Sequence, residues 1–212
     1  MSAGGAATFN AYIDMVGNHI YHADNSESRY GTGNDLKIYH NGSDSYIDDV
    51  GTGNLKLRSS GAAIQFETIA GENMVVGNVD GSVDLYHNGA KKFETTAIGA
   101  TVTGTIIATT DTDTSNTGNV TLDFAANQNF VLTLTGNTTL VNPSTEQVGQ
   151  SGFIAFIQDG TGGRTITLGT DYETAGNAGI TLTSAAGTTD LVPYVVVAAG
   201  RILLGTPQRN FS

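Results

Sequence analysis

Short apolar segments recur about every nine or ten residues between positions 36 and 103, and this spacing constrains the fold more than any other feature. Residues typical of turns, mainly Gly, Asn, Asp and Ser, fill the intervals. Leu36 and Ile38 alternate with Lys37, which is the period of a strand with one apolar face. Such spacing predicts an all-β ladder or repeat. The segments are LKI (36–38), YI (46–47), LKL (55–57), IQF (64–66), MVV (74–76), VDL (83–85), KKF (91–93) and TVT (101–103).

Strands of this length bury little apolar surface. Two aliphatic side chains gain about 3–5 kcal/mol at ~25 cal/mol per Å². Ordering the backbone of one repeat costs roughly 1–2 kcal/mol for every residue in it. One copy of the ladder is therefore short of burial, and we expect several copies of the chain, wrapped around a common axis, to supply the rest.

The pattern changes after a polar, low-complexity stretch at 106–118, which we predict to be a linker. The apolar segments of 119–212 are longer, and FIAFI (153–157) is apolar on both faces, as in a strand covered on both sides. About eight strands in this half predict a β-sandwich or jelly-roll-like domain. The segments include VTLDF (120–124), FVLTLTG (130–136), TTLVN (138–142), RTITLG (164–169), GITLTS (179–184), LVPYVVVAAG (191–200) and RILLG (201–205).

The charge balance and the missing residue types exclude several classes of function. A net charge of −11 disfavours nucleic-acid binding, which depends on Lys and Arg contacts to phosphates. The chain contains no Cys, so it has neither disulfides nor a Cys-based zinc site. No apolar run approaches the ~20 residues that cross a membrane, and the first residues lack the pattern of a signal peptide. We therefore expect no nucleic-acid partner and no membrane insertion.

A YHNG sequence occurs twice, within IYHNG (38–42) and LYHNG (85–89). An Asn-Gly pair between two strand-like segments predicts a hairpin with a type I′ turn, because both central residues then need a positive φ. We assign Asn41, Gly42, Asn88 and Gly89 to such structural turns. The alternative is a metal or acid–base site, since each YHNG carries a histidine and a related IYHAD (20–24) carries a third. The histidines concerned are His22, His40 and His87.

The remaining polar motifs do not define a catalytic or metal site. The spacing of Asp111, Asp113 and Ser115 resembles the start of a calcium loop, but the required Gly and Glu are replaced by Asn116 and Leu122. QDGTGGRT (158–165) lacks the Lys-Ser/Thr of a phosphate-binding loop, so a glycine-rich hairpin is the better interpretation. With no Cys nucleophile and no GxSxG sequence, we expect no enzyme activity, no metal and no cofactor.

Two stretches carry a resemblance to a known family. DLKIYHNGSDSYIDDVGTGNLKLRSSG and VDLYHNGAKKFETTAIGATVTGT resemble the repeat region of fibre and appendage proteins of tailed bacteriophages, especially marine ones. VTLDFAANQNFVLTLTGNTTLVNP, GQSGFIAFIQDGTGGRTITLG and YVVVAAGRILL are similar to a C-terminal β-domain of phage tail fibres. The resemblance implies a structural protein of the virion, a homotrimer, with the C-terminal domain toward the end that contacts the host.

The resemblance also implies an organisation and a function. We expect residues 1–30 to dock onto other virion proteins, residues 31–105 to form a β-repeat shaft, and the C-terminal domain to bind a host surface glycan. Assembly would take place in the host cytoplasm. Exposed turns are the expected binding loops, and Asp159, Arg164 and Tyr172 lie in or beside them. The alternatives are a purely structural capsid spike or decoration protein, and a tailspike that cleaves polysaccharide.

Overall fold

Strands make up almost all of the regular structure in this chain. The computed structural model describes residues 16–17 and 19–212, and in that part the only helical element is a single 3-10 turn, Ala175–Asn177. The prediction of an all-β fold is confirmed. The chain divides into two units, the first ending at Thr103 and the second beginning at Gly104. Of the predicted docking segment 1–30, residues 1–15 and 18 lie outside the described residues.

In its described residues, the first unit contains two antiparallel sheets, one of three strands and one of five. Neighbouring strands are consecutive in sequence, as expected for hairpins joined by short turns. The three-stranded sheet comprises β1 (Ser28–Tyr30), β2 (Leu36–His40) and β3 (Ser45–Asp49). The five-stranded sheet comprises β4 (Ala63–Glu67), β5 (Asn73–Asn78), β6 (Val83–His87), β7 (Ala90–Thr96) and β8 (Gly99–Val102).

The ladder is interrupted between these two sheets. The sequence predicts a strand at 55–57, but no strand forms between Asp49 and Ala63, and Leu55 and Leu57 are exposed. Alternation alone is insufficient there, because a strand also needs a neighbour to accept its hydrogen bonds. The predicted boundary at residue 30 is also wrong, since β1 lies before it and pairs with β2.

The second unit contains eight strands linked by hydrogen bonds into one mixed sheet. The strands are β9 (Thr110–Val120), β10 (Asn129–Leu140), β11 (Ser151–Gln158), β12 (Ile166–Leu168), β13 (Tyr172–Thr174), β14 (Thr189–Ala198), β15 (Arg201–Leu204) and β16 (Gln208–Phe211). Neighbouring strands follow the order β12-β10-β11-β14-β15-β13. In addition, β9 pairs with β10 and β16 pairs with β14.

The predicted linker at 106–118 is wrong over most of its length, because residues 110–120 form β9. This strand pairs in parallel with β10 along nearly its whole length. Its sequence, TDTDTSNTGNV, has few apolar residues because only one of its edges joins the sheet and most of its side chains are exposed. Backbone pairing with the long apolar strand β10 orders this segment.

The strands of the second unit surround one core. One edge of β10 is occupied by β9, and the other is shared by β11 at residues 130–134 and β12 at residues 138–140. The sheet therefore branches at β10. Its two ends, β12 and β13, contribute Ile166 and Tyr172 to the same buried cluster.

Alternate residues of the strands supply that core. In β10, Phe130, Leu132 and Leu134 are fully buried on one face, as period two requires. The sequence predicts strands at 120–124 and 179–184. In the first segment only Val120 belongs to a strand, and the second segment contains no strand. Both segments cover the core with apolar side chains. These are Leu122 and Phe124 from the first segment and Ile180 and Leu182 from the second.

Candidate functional site

The two ends of the curled sheet leave an open seam between β12 and β13. Within the described residues β12 pairs only with β10, and β13 pairs only with β15. Thr165 and Gly169 bond to β10 through their backbone groups. Because alternate residues of a strand bond to opposite sides, the peptide groups of Ile166 and Leu168 face the seam. An unpaired strand edge offers hydrogen-bond donors and acceptors to a ligand.

A cavity of about 480 Å³ lies at this seam. A second cavity of about 170 Å³ adjoins it, and the two share Ile166 and Ile180. We call the pair the seam groove. The combined size is within the usual range for small-ligand sites, roughly 300–1,000 Å³. Besides Ile166 and Ile180, its lining includes Thr165, Thr167, Leu168, Gly169, Thr170, Tyr172, Glu173, Thr174, Asn177 and Thr181.

The charged side chains of the seam groove are already paired. The Arg201 guanidinium donates from Nε to Oε1 of Glu173 at 2.7 Å and from Nη2 to Oε2 at 2.9 Å. This pairing lowers the pKa of Glu173 below its usual value. Hydroxyl, amide and backbone groups remain for a ligand, so the groove suits a neutral molecule rich in hydrogen-bonding groups.

Asp159 and Arg164 are brought together, but they bind each other. Arg164 donates from Nε to Asp159 Oδ1 at 3.2 Å and from Nη2 to Oδ2 at 2.8 Å. Asp159 Oδ1 also accepts the backbone N–H groups of Thr161 and Gly162. Arg164 first, and then the N–H of Gly162, lower the pKa of Asp159 to about 2. Arg164 lines the smaller cavity, whereas Asp159 closes the glycine-rich hairpin.

Tyr172 is a core residue of β13 and not part of an exposed turn. Only 5% of its surface is exposed, and it belongs to the buried cluster while also lining the larger cavity. Burial, and then the carboxylate of Glu146, raise the pKa of its hydroxyl. Tyr172 directly follows the turn at 169–171, and its ring packs in the core below the larger cavity.

The two YHNG turns are both hairpins but differ in type. Asn88 and Gly89 have φ values of 53° and 69°, so this two-residue loop has the positive φ at both positions that a type I′ turn requires. At the first copy Gly42 has a φ of 95°, whereas Asn41 is not in the left-handed region. The Asn41 Oδ1 instead accepts the N–H groups of Ser43 and Asp44, which makes an Asx turn.

The histidines and acidic motifs do not converge on a metal site. His22 and His40 each lie within hydrogen-bond distance of a serine hydroxyl, on Ser28 and Ser45 respectively. Asp111 and Asp113 lie on β9, in which Asp113 accepts the N–H of Ser115. Among the residues the structure describes, no group of three or more His, Asp or Glu side chains could hold a metal ion.

No helix in the described part of the chain is long and apolar enough to cross a membrane.

The second unit thus combines an all-β fold with an open groove lined by hydroxyl, amide and backbone groups. Residues 108–200, from just before β9 through β14, match a family model described as "Putative phage tail fibre C-terminal domain". This segment contains both β12 and β13 and hence most of the seam groove. The matched part of the second unit is therefore similar to the C-terminal domain of phage tail fibres. Searches of the curated proteins and of the solved structures found no match.

The threonines and Asn177 of the seam groove were not identified from the sequence. Thr167 and Asn177 are exposed and, within the described residues, lie at a seam that exists only because β12 and β13 do not pair. The one available signal was the high content of Thr in 161–183, which is equally typical of any exposed strand.

Proposed function

We propose that the chain assembles as a trimeric fibre that attaches a tailed phage to its host by binding a surface glycan in the seam groove. The fibre works by adhesion without catalysis, and it assembles in the host cytoplasm. Its N-terminal segment binds other virion proteins. The match of residues 108–200 to a tail fibre C-terminal domain supports the fibre role.

The lining of the seam groove is the observation that carries the glycan proposal. A neutral sugar presents hydroxyl groups, and the groove offers threonine hydroxyls, the Asn177 amide and unpaired backbone groups. Its one carboxylate, Glu173, is paired with Arg201. Three grooves on one trimer would multiply a weak single-site affinity through avidity.

A bulky substitution in the groove tests this assignment. Thr167 is exposed on β12 and lines the larger cavity, so Thr167→Trp fills the groove without disturbing the core. We expect it to weaken binding to immobilised bacterial surface polysaccharides by about tenfold or more, equivalent to ~1.4 kcal/mol. Thr121→Trp, at an exposed position outside the groove, is the matched control. Equal binding by both variants would exclude the groove.

A capsid spike or decoration protein with a purely structural role is the second candidate. The matched family points to a tail fibre, but the family model covers residues 108–200 and not the first unit. Cryo-electron microscopy of the virion distinguishes the two functions. Density at the tail supports attachment to the host, and density over capsid positions supports the spike. Shortened polysaccharide chains after incubation with the protein would instead identify a cleaving tailspike.

A further inference from the structure

An apolar row crosses all five strands of the second sheet in the first unit. Phe66 lies opposite Val75, Val75 opposite Leu85, Leu85 opposite Phe93, and Phe93 opposite Val102. Residues directly opposite each other on neighbouring strands point to the same face. Phe66, Leu85 and Val102 are 50%, 41% and 40% exposed. We call these five residues the apolar row; it contains no charged residue.

The opposite face of the same sheet is closed by its own side chains. Lys91 Nζ lies 3.0 Å from Asp84 Oδ2 and 2.7 Å from Glu94 Oε2. Asn78 and Tyr86 also donate to Asp84, which is only 4% exposed. One face of the sheet therefore carries a network of paired polar side chains around Asp84, and the other carries half-exposed apolar side chains.

The three-stranded sheet repeats this arrangement. Ile38 lies opposite Ile47, and these residues are 42% and 58% exposed. On the other face Tyr39 stacks on Tyr46, with ring centroids 4.8 Å apart, and Tyr39 donates to Asp48. Each sheet is a single layer in the described residues, and a single layer needs a second surface to cover its apolar face.

We infer that the apolar row is the surface through which copies of this chain pack against each other. This inference rests on the proposed trimer and names its contact surface. Each chain carries a net charge of −11, which opposes association of copies, and a contact surface without charged residues adds no further like-charge repulsion at the interface. A second copy also presents the same apolar face on each of its two sheets, which an unrelated partner would have to reproduce.

The exposed area is of the size that such an interface needs. Seven half-exposed side chains lie on these two faces, and at roughly 80–100 Å² each they supply on the order of 600 Å². A standard interface takes about 800 Å² from each partner. The apolar row supplies Phe66, Leu85 and Val102 of this set, and Val83 and the three-stranded sheet supply the others. The full set is Tyr30, Ile38, Ile47, Phe66, Val83, Leu85 and Val102.

Adjacent residues of β8 provide a matched test. Val102 belongs to the apolar row, and Thr101 points to the other face, opposite Glu94; both are exposed. In sedimentation velocity of the full chain, we expect Thr101→Arg to keep the wild-type mass. We expect Val102→Arg to raise the dissociation concentration by about a hundredfold, because each copy then brings unpaired charges into a desolvated contact.

A second pair of variants, at the other edge of the sheet, keeps the test valid if one of the first two variants fails to fold. Phe66→Arg changes the row, and Gln65→Arg changes the opposite face of the same strand. Circular dichroism checks that all four variants keep their strands. An unchanged mass in both row variants overturns the apolar row as the interface but leaves the trimer standing. A wild-type chain that is monomeric at every concentration overturns both.

Discussion

The carboxylate of Asp159 organises the glycine-rich hairpin at 158–165. It holds Arg164 and two backbone N–H groups of the glycine-rich hairpin. Gln158, which is buried, holds the same hairpin by accepting the N–H of Arg164 and donating to its carbonyl. An exposed binding loop would leave these groups free, and here each is used to fix the turn beside the seam groove.

The acid titration of Asp159 reports this role. Its folded pKa of about 2 is below the ordinary value of about 3.9, so the ionised carboxylate stabilises the fold above about pH 4. That contribution is lost as the pH falls toward 2. Carboxyl-carbon NMR should give a midpoint near 2, and Arg164→Gln should raise it toward 3.9. A midpoint near 3.9 in the unchanged chain would contradict the ion pair.

The strand β9 is the element whose structure differs most from the sequence prediction. Its polar residues are typical of a linker, yet Asn116 is 1% exposed and its amide donates to the carbonyls of Asp113 and Thr133. The bond to Thr133 joins β9 to β10 at a point where the register of the two strands shifts, and the bond to Asp113 lies within β9. A polar residue thus stabilises the strand where an apolar one would leave two carbonyls unpaired.

Removal of the Asn116 amide should loosen β9. We expect Asn116→Ala to lower the free energy of unfolding of the second unit by about 1–3 kcal/mol, the cost of buried polar groups left without partners. Hydrogen exchange followed by mass spectrometry should show faster exchange in 110–120. Thr112→Ala, at an exposed position of the same strand, serves as the control and should exchange at the wild-type rate. Equal protection in both variants would mean that the backbone ladder alone holds β9.

Elements with a strong local signal were predicted well, and elements defined by distant partners were not. Leu85 and Phe93 lie on strands that alternation and the Asn88-Gly89 turn predict together. The segment 179–184 alternates equally well, yet it covers the core without joining a ladder. Alternation records which residues face the core but not whether a neighbouring strand is present.

The two units differ in how they obtain their stability. The second has its own core, a cluster of fifteen buried residues that includes Phe130 and Phe156. In the described residues of the first unit, Val76 is the one buried apolar side chain. The second unit has a core of its own, whereas we expect the first unit to need further apolar surface to cover its sheets.

Dilution should affect the stability of the two units differently. If copies pack through the apolar row, protection of 63–102 against hydrogen exchange falls as the protein is diluted below its dissociation concentration, since association stabilises the folded form by mass action. Protection of 129–140, in the core of the second unit, should not change. Loss of protection in both segments together would show that the second unit also depends on association.

The sequence by itself determined the all-β class, the alternation of most strands and the turns that join them, because each depends on residues close together in the chain. It also gave each sheet of the first unit an apolar face. Tertiary structure alone decided that β9 is a strand, that β12 and β13 do not pair, and that the seam groove lies between them. These features depend on hydrogen bonds between distant residues, for which local alternation carries no information.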